Sequence, residues 1–389
     1  MSKALGAFEF RTVPAIAVEW SGAQRLGDIL APRFPARRAF LVTDAGVRRA
    51  GLLDAVLASL AAHGFSVTIF DGVVADPPEA VLHCGVAEAR AATTDIVIGL
   101  GGGSSLDVAK LCAVLIGSEQ PLAEMYGIGC VEGSRLPLVL IPTTAGTGSE
   151  VTNIAIITTG QTTKMGVVSP QLYADFALLD AELTVGLPAT HTAATGIDAM
   201  VHAIEAYTSK LRKNPISDAL AREALRLLGG NLITACRDGA NRPAREAMLL
   251  GAALAGQAFA NAPVAAVHAL AYPLGGHYHV PHGLSNALML GPVLRFNMGV
   301  AAPLYAELAD VLVGPTPDRE VSARSQDFVA EMERLMTESG APRRLRDVGV
   351  TDNSLALLAG DAMKQSRLLV NNPVEVTEAD ALALYREAY

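Results

Sequence analysis

The sequence predicts a parallel α/β domain followed by an all-helical domain, on three observations. Short apolar runs alternate with helical segments through the first half of the chain. Beyond about Pro188 the strand-like runs stop, and Ala- and Leu-rich segments with helical spacing continue to Tyr389. A length of 389 residues fits two domains at about 100–200 residues each. The expected division is 1–186 and 187–389, with the break at Gly186-Leu187-Pro188. No internal repeat or Gly/Ser linker separates the halves, so closely packed domains with a ligand site in their crevice are expected.

The elements follow in order. Ala39–Thr43 (AFLVT) is a strand, and Val47–Ala62 has a helical pattern. Ser66–Phe70 (SVTIF) is a second strand, followed by a turn at Asp76-Pro77-Pro78 and a helix to about Ala92. Asp95–Leu100 (DIVIGL) is a buried strand running into Gly101-Gly102-Gly103, and a helix from about Ser105 to Ile116 follows. Leu136–Ile141 is another buried strand, and Pro137 is tolerated only at its start, where no ladder N–H is needed. Strand and helix in alternation imply a parallel sheet covered on both faces.

Composition narrows the function classes. Hydrophobic residues make up 51% and charged residues 18%, which excludes a disordered chain. Thirty Lys and Arg against 39 Asp and Glu leave a formal charge of −9, which disfavours nucleic acid and anionic membranes as partners. Aromatics are only 5%, so the core is built from Ala, Leu, Val and Ile. The cysteines Cys84, Cys112, Cys130 and Cys236 show no C-x-x-C pair or disulfide spacing, and read as reduced, buried thiols of a cytoplasmic protein. Glu9, Arg11 and Glu19 interrupt any signal-peptide pattern. Ala247–Leu294 contains no Asp, Glu, Lys or Arg. A span would need about 20 continuous apolar residues. Gln257, Asn261, Pro263, His268 and a Gly-Gly pair interrupt the run, so it reads as buried helices enclosing something polar.

Four constellations can carry chemistry. Gly101-Gly102-Gly103-Ser104 lies between a strand and a helix, where glycines let a phosphate approach the main chain and the helix offers unpaired N–H groups. The spacing is not G-x-G-x-x-G, and a plain turn is the alternative. Asp44, at a strand's carboxyl end, can accept from a ribose 2′-OH or cap the next helix. Pro142-Thr143-Thr144-Ala145-Gly146-Thr147-Gly148-Ser149-Glu150 offers short hydroxyl donors at the sheet edge; a Ser/Thr turn is its structural alternative. In Gly196–Tyr207 (GIDAMVHAIEAY), Asp198 and His202 stand four apart on one helical face, a spacing that can hold one metal ion. His268 and His282 then appear in the uncharged window, and burying a carboxylate there is costly without a cation. His63 and His83 sit on surface-like helices without an evident partner, and His191 belongs to a helix entry. His277 and His279 flank Tyr278 and could line a site mouth.

Together these residues resemble the iron-containing (group III) alcohol dehydrogenase family. The matching stretches are Gly101–Lys110 (GGGSSLDVAK), Pro142–Thr152 (PTTAGTGSEVT), Leu187–Tyr207 (LPATHTAATGIDAMVHAIEAY) and His268–Asn286 (HALAYPLGGHYHVPHGLSN), and the similarity extends roughly over 12–385. The resemblance implies a dinucleotide-binding α/β domain and an all-α domain of the dehydroquinate synthase-like fold. It places Asp198, His202, His268 and His282 as ligands of a divalent metal, Fe²⁺ or Zn²⁺. Gly101, Gly102, Gly103 and Ser104 match the pyrophosphate loop. Thr143, Thr144 and Thr147 match contacts near the nicotinamide half, and Lys164 matches a further cofactor contact. Asp44 matches the position where an acidic residue suggests NAD. The implied activity is metal-assisted hydride transfer between a short-chain primary or secondary alcohol and its aldehyde or ketone, in a homodimer or larger homo-oligomer.

Three positions depart from the family pattern. Tyr272 stands where a second histidine often follows the third ligand. Asp76 replaces the asparagine of an Asn-Pro turn, and Val374 replaces the arginine of an Asn-Pro-Arg pattern. Tyr272, four residues after His268 on a helix, is expected either to face the same pocket and pass a proton or to pack between domains. With three neutral imidazoles and one carboxylate, a divalent ion would leave the site net positive. The competing activities are reduction of an anionic semialdehyde or oxo acid (hydroxy-acid dehydrogenase, maleylacetate-reductase-like) and a dehydroquinate-synthase-like lyase.

Overall fold

The computed structural model describes residues 6–160 and 163–389. Nine strands occur among them: β1 (Ile16–Val18), β2 (Arg38–Asp44), β3 (Ser66–Val73), β4 (Ile96–Gly101), β5 (Gly127–Ile128), β6 (Leu138–Pro142), β7 (Ile154–Thr159), β8 (Thr163–Val168) and β9 (Phe176–Leu179). Six form one wholly parallel sheet in the order β1-β9-β6-β4-β2-β3, and β5-β8-β7 form a small mixed sheet. The chain crosses outward from β2 to β3, then back over β2 to β4. The order therefore reverses between β2 and β4, and ligands of open α/β sheets bind outside the strand carboxyl ends at such a switch point. Asp44 ends β2 and Gly101 ends β4.

Apolar character explains the centre of this sheet. Every residue of β4 and β6 is buried, as are Ala39–Thr43 of β2, because helices cover both faces. Sequence periodicity finds β2, β3, β4 and β6 but not β1, β5, β7, β8 or β9, which are short, half-exposed or in the small sheet. The expected Val47–Ala62 helix is two helices, Ala45–Arg49 and Asp54–Ala62, because Gly51 takes a left-handed φ of 72° between them. The Pro137 carbonyl accepts from Val97 N–H just ahead of β6, so the proline supplies the acceptor that it can and no donor.

Helix Gly103–Leu115 carries a buried charge cluster. Lys110 is fully buried and donates to Ser149 Oγ (2.7 Å), Thr152 Oγ1 (3.1 Å) and the Ile154 carbonyl (2.8 Å). Ser149 Oγ donates to Asp107 Oδ1 (2.6 Å), and Asp107 Oδ2 accepts Ile156 N–H (2.9 Å). Burial pushes the Lys110 ammonium down and the Asp107 carboxyl up. Burial also raises Glu150 to about 7, against the attraction of Lys110.

Everything from Ala189 onward is helical or irregular. The described residues group into two compact units: Val13–Gly196 with Asn231–Ala253, and residues 6–12 with Ile197–Gly230 and Leu254–Tyr389. This grouping departs from a division at 186/187. The N-terminal segment goes with the helical unit because Asn261 holds Arg11 by paired backbone bonds, accepting from its N–H and donating to its carbonyl, both at 2.8 Å. The helical unit contains Ala266–Tyr278, His282–Leu312, Val321–Glu338 and Glu378–Ala388. Tyr305 stacks on Phe328, and Tyr385 donates to the Leu270 carbonyl (2.6 Å). Helix His282–Leu312 is long and apolar enough to cross a membrane by length and composition, yet 56% of its apolar window is buried within the protein.

Two expectations need correction. Only Cys112 is buried among the four free thiols; Cys84 is exposed, and Cys130 and Cys236 are half-buried. His63 does have partners: its Nε2 lies 2.9 Å from Asp28, and its Nδ1 lies 2.9 Å from the Ser59 carbonyl.

Glu150 sets one expected outcome. A carboxyl raised from its ordinary 4.5 to about 7 by folding favours the folded state when protonated. Its contribution therefore declines as pH rises from about 4.5 to 7 and is level above, by roughly 3 kcal/mol in all. Urea melts of wild type and Glu150→Gln at pH 5 and pH 8 should show the variant gaining stability relative to wild type at the higher pH. An unchanged difference would remove the argument.

Candidate active site

Helix Ala189–Thr208 places Asp198, His202 and Glu205 along one stripe, at i, i+4 and i+7, and they are 2%, 4% and 4% exposed. Helix Ala266–Tyr278 supplies His268, which is 2% exposed, and His282 opens the next helix directly after Pro281. One ligand-capable atom from each of Asp198, His202, His268 and His282 lies within 4.8 Å of the other three. His202 stacks between Phe259 (centroids 4.3 Å apart) and His268 (4.7 Å), which fixes its ring plane.

The tautomer of His268 follows from its neighbour. Its Nδ1 lies 2.6 Å from Glu205 Oε2, while Glu205 Oε1 accepts Val267 N–H at 2.7 Å. An ionised carboxylate only accepts, so Nδ1 carries the proton and the Nε2 lone pair is left for the common point. The Asn286 amide nitrogen donates to Asp198 Oδ1 (2.5 Å) and lies 3.2 Å from His268 Nε2 and 3.3 Å from His282 Nε2. Asn286 Oδ1 is buried without a partner among the described residues. Burial pushes the Asp198 carboxyl up, but His202, His282, His268 and the Asn286 amide outweigh it, leaving Asp198 below the usual carboxylate range.

This donor set fits a divalent cation. One carboxylate and three imidazoles suit Fe²⁺ or Zn²⁺. A hydrogen-bond donor already sits against the carboxylate and two imidazole nitrogens, where positive charge is favoured.

A separate candidate site lies at the β2/β4 switch point. Gly101 ends β4, Gly102 is the helix N-cap and Gly103 is already its first residue, so the triplet is a strand-to-helix junction rather than a loop. No side chain caps that helix, which leaves its first N–H groups for an anion. A Cβ on Gly101 would lie 2.7 Å from Ser105 Oγ, and one on Gly103 would lie 2.8 Å from Thr147 Cγ2. Thr144 faces Gly102, with Oγ1 3.7 Å from where a Cβ would stand. Ser104 is half-buried in the first helical turn. Thr143 differs from its neighbours: it is 4% exposed, and its N–H bonds the Gly101 carbonyl. This surface can cradle a pyrophosphate between main-chain N–H groups and Thr hydroxyls.

Asp44 realises the capping alternative. Its Oδ1 accepts from Gly46 N–H (2.8 Å) and Val47 N–H (3.0 Å). Its Oδ2 takes no part in the cap and has a longer contact of 3.4 Å from Ser105 Oγ. Lys164, on β8, pairs with Asp76 Oδ1 at 2.6 Å, so the family departure at Asp76 engages the expected cofactor lysine. Tyr272 lies on the His268 helix with its ring 5.9 Å from the His282 ring. His277 pairs instead with Asp361 (2.5 Å), and His279 takes a left-handed φ of 54° at the helix end. Neither joins the gathered ligand set.

Glu205 and Asn286 were missed in the sequence. Glu205 had a signal, since it continues the Asp198/His202 spacing by three residues. Asn286 had one too, four residues beyond His282 on a helix.

The chain matches known families and solved structures over nearly its whole length. The profile described as "Iron-containing alcohol dehydrogenase" matches residues 14–181, and "Fe-containing alcohol dehydrogenase family, C-terminal" matches 192–389. The chain is 42% identical over 360 residues to "Long-chain-alcohol dehydrogenase 1" of Geobacillus thermodenitrificans, covering 92% of this chain and 91% of that one. Among solved structures, a 1,3-propanediol oxidoreductase superposes with a TM-score of 0.95 at 34% identity, covering 99% of this chain and all of the other. Sulfoacetaldehyde reductase from Bifidobacterium kashiwanohense in complex with NAD⁺ gives 0.87 at 26% identity, covering 98% and 99%. With both profiles matched in order over nearly the whole chain, this protein belongs to the iron-containing alcohol dehydrogenase family.

Proposed function

We propose that this chain is an NAD(H)-dependent dehydrogenase that interconverts a short-chain primary or secondary alcohol and its aldehyde or ketone. In this reading Asp198, His202, His268 and His282 hold a divalent metal. The observation that carries it is the convergence of those four side chains, three of them buried and His282 half-buried, with one ligand-capable atom of each within 4.8 Å of the others. A bound divalent ion would supply Lewis acidity toward an alcohol oxygen, as it lowers the pKa of water from 15.7 to about 7, and NAD would accept the hydride.

The residues divide the work. Asp198 and the three imidazoles bind the ion, and Phe259 and His202 stacking limits their motion. The N–H groups of Gly103 and Ser104, with the Thr144 and Thr147 hydroxyls, hold and orient a pyrophosphate. Asp44 Oδ2 accepts from a ribose 2′-OH and repels a 2′-phosphate, which selects NAD over NADP. Lys164, paired with Asp76, presents a neutralised ammonium to the same cofactor. The Tyr272 phenol, on the His282 side of the pocket, holds or passes the alcohol proton.

A second reading, reduction of an anionic semialdehyde, is favoured by the match to a sulfoacetaldehyde reductase. Oxidation of NADH with short and long aldehydes, 2-oxo acids and sulfonated semialdehydes at equal concentration separates the two. Neutral aldehydes should give the highest kcat/KM; a preference for anionic substrates would transfer the assignment to the second reading.

Three outcomes test the residues. Asp198→Ala should reduce bound iron or zinc, read by elemental analysis, to a small fraction of wild type. Equal metal in both would refute the ligand assignment. Gly103→Val should weaken NADH binding, followed by nicotinamide fluorescence, by tenfold or more (~1.4 kcal/mol). Unchanged affinity would mean that the cradle does not hold the cofactor. Tyr272→Phe should lower kcat about 100-fold if the phenol moves a proton; full activity across the pH range would make it a packing residue.

A further inference from the structure

We propose that Glu205 is a positioning residue for the metal centre, holding His268 in the tautomer and orientation that a ligand needs. The proposal rests on the four-residue metal site argued above and assigns a fifth side chain to it. Glu205 is 4% exposed, yet its carboxylate meets an imidazole N–H and a main-chain N–H rather than Lys or Arg. Both contacts are short, 2.6 and 2.7 Å, and one goes to each oxygen. A second carboxylate on an imidazole orients the ring and raises the basicity of its other nitrogen, and loss of such a partner typically weakens metal binding 10–100-fold.

Two physical arguments favour this over a purely structural role. Burying an anion is costly unless a cation compensates it. The segment Ala247–Leu294, which carries His268, Val267 and His282, contains no Lys or Arg to do so. A divalent ion held by Asp198 with Glu205 behind His268 leaves two carboxylates and two positive charges, a neutral buried group. The net positive charge expected from the sequence counted Asp198 alone. The bonding also demands a carboxylate rather than any polar side chain. Glu205 accepts twice, whereas glutamine accepts once and would turn an NH₂ toward either Val267 N–H or His268 Nδ1.

The test uses the full chain, stripped with chelator and reloaded with Co²⁺. Affinity is read by chelator competition, and ligand geometry by the visible d–d spectrum at saturation. Wild type should bind Co²⁺ stoichiometrically. Glu205→Gln should bind 10–100-fold more weakly with an altered spectrum, and Glu205→Asp, which keeps an acceptor but draws it back, should fall between. A merely structural Glu205 would lower the melting temperature of the metal-free protein and leave the saturated Co²⁺ spectrum unchanged, which would overturn the proposal. Should Glu205→Gln not fold, Glu205→Asp decides alone, and wild-type affinity there overturns it. Failure of wild type itself to bind Co²⁺ would instead refute the metal site.

Discussion

Buried negative charge must be balanced, and the two halves of this chain balance it differently. Near the β2/β4 switch point, Asp107 and Glu150 share a lysine that the protein provides, Lys110. In the helical unit, Asp198 and Glu205 lie beside imidazoles and amides, and no lysine pairs with either among the described residues. Transfer of an ionised carboxylate into an apolar interior is too costly to persist without compensation. The sequence around His268, Ala247–Leu294, carries no Lys or Arg that could compensate these carboxylates.

The Lys110 cluster has a second consequence. Asp107 and Lys110 belong to the motif that begins with the glycine triplet, and Ser149, Glu150 and Thr152 to the Thr-rich loop. The bonds among Lys110, Ser149 and Asp107 tie the two motifs together. The same loop packs Thr144 and Thr147 against Gly102 and Gly103, so closely that a Cβ on Gly103 would lie 2.8 Å from Thr147 Cγ2.

The departures from family pattern also acquire physical content. Asp76 takes Lys164 into an ion pair. Asn372, whose motif ends in Val374 rather than arginine, donates to the Val374 carbonyl and exchanges amide bonds with Asn297. This segment is therefore a helix-packing device built on buried amides.

Periodicity and motif chemistry alone determined the parallel sheet, the helical second half, the glycine junction, and the Asp198/His202 pair. Each is local, because apolar runs and i, i+4 spacing are properties of a few consecutive residues. Strands β1 and β9 escaped because three or four residues carry no readable period, and β7 and β8 because half-exposed segments become strands only by pairing with others. Asp44 offered two roles from sequence, and the cap took one oxygen while leaving the other. The convergence of His268 and His282 on Asp198, the grip of Glu205 on His268 Nδ1, and the Lys110 network all join residues far apart in the chain. Only folding decides such contacts, since directed hydrogen bonds between distant segments depend on how helices pack and leave no periodic trace in the sequence.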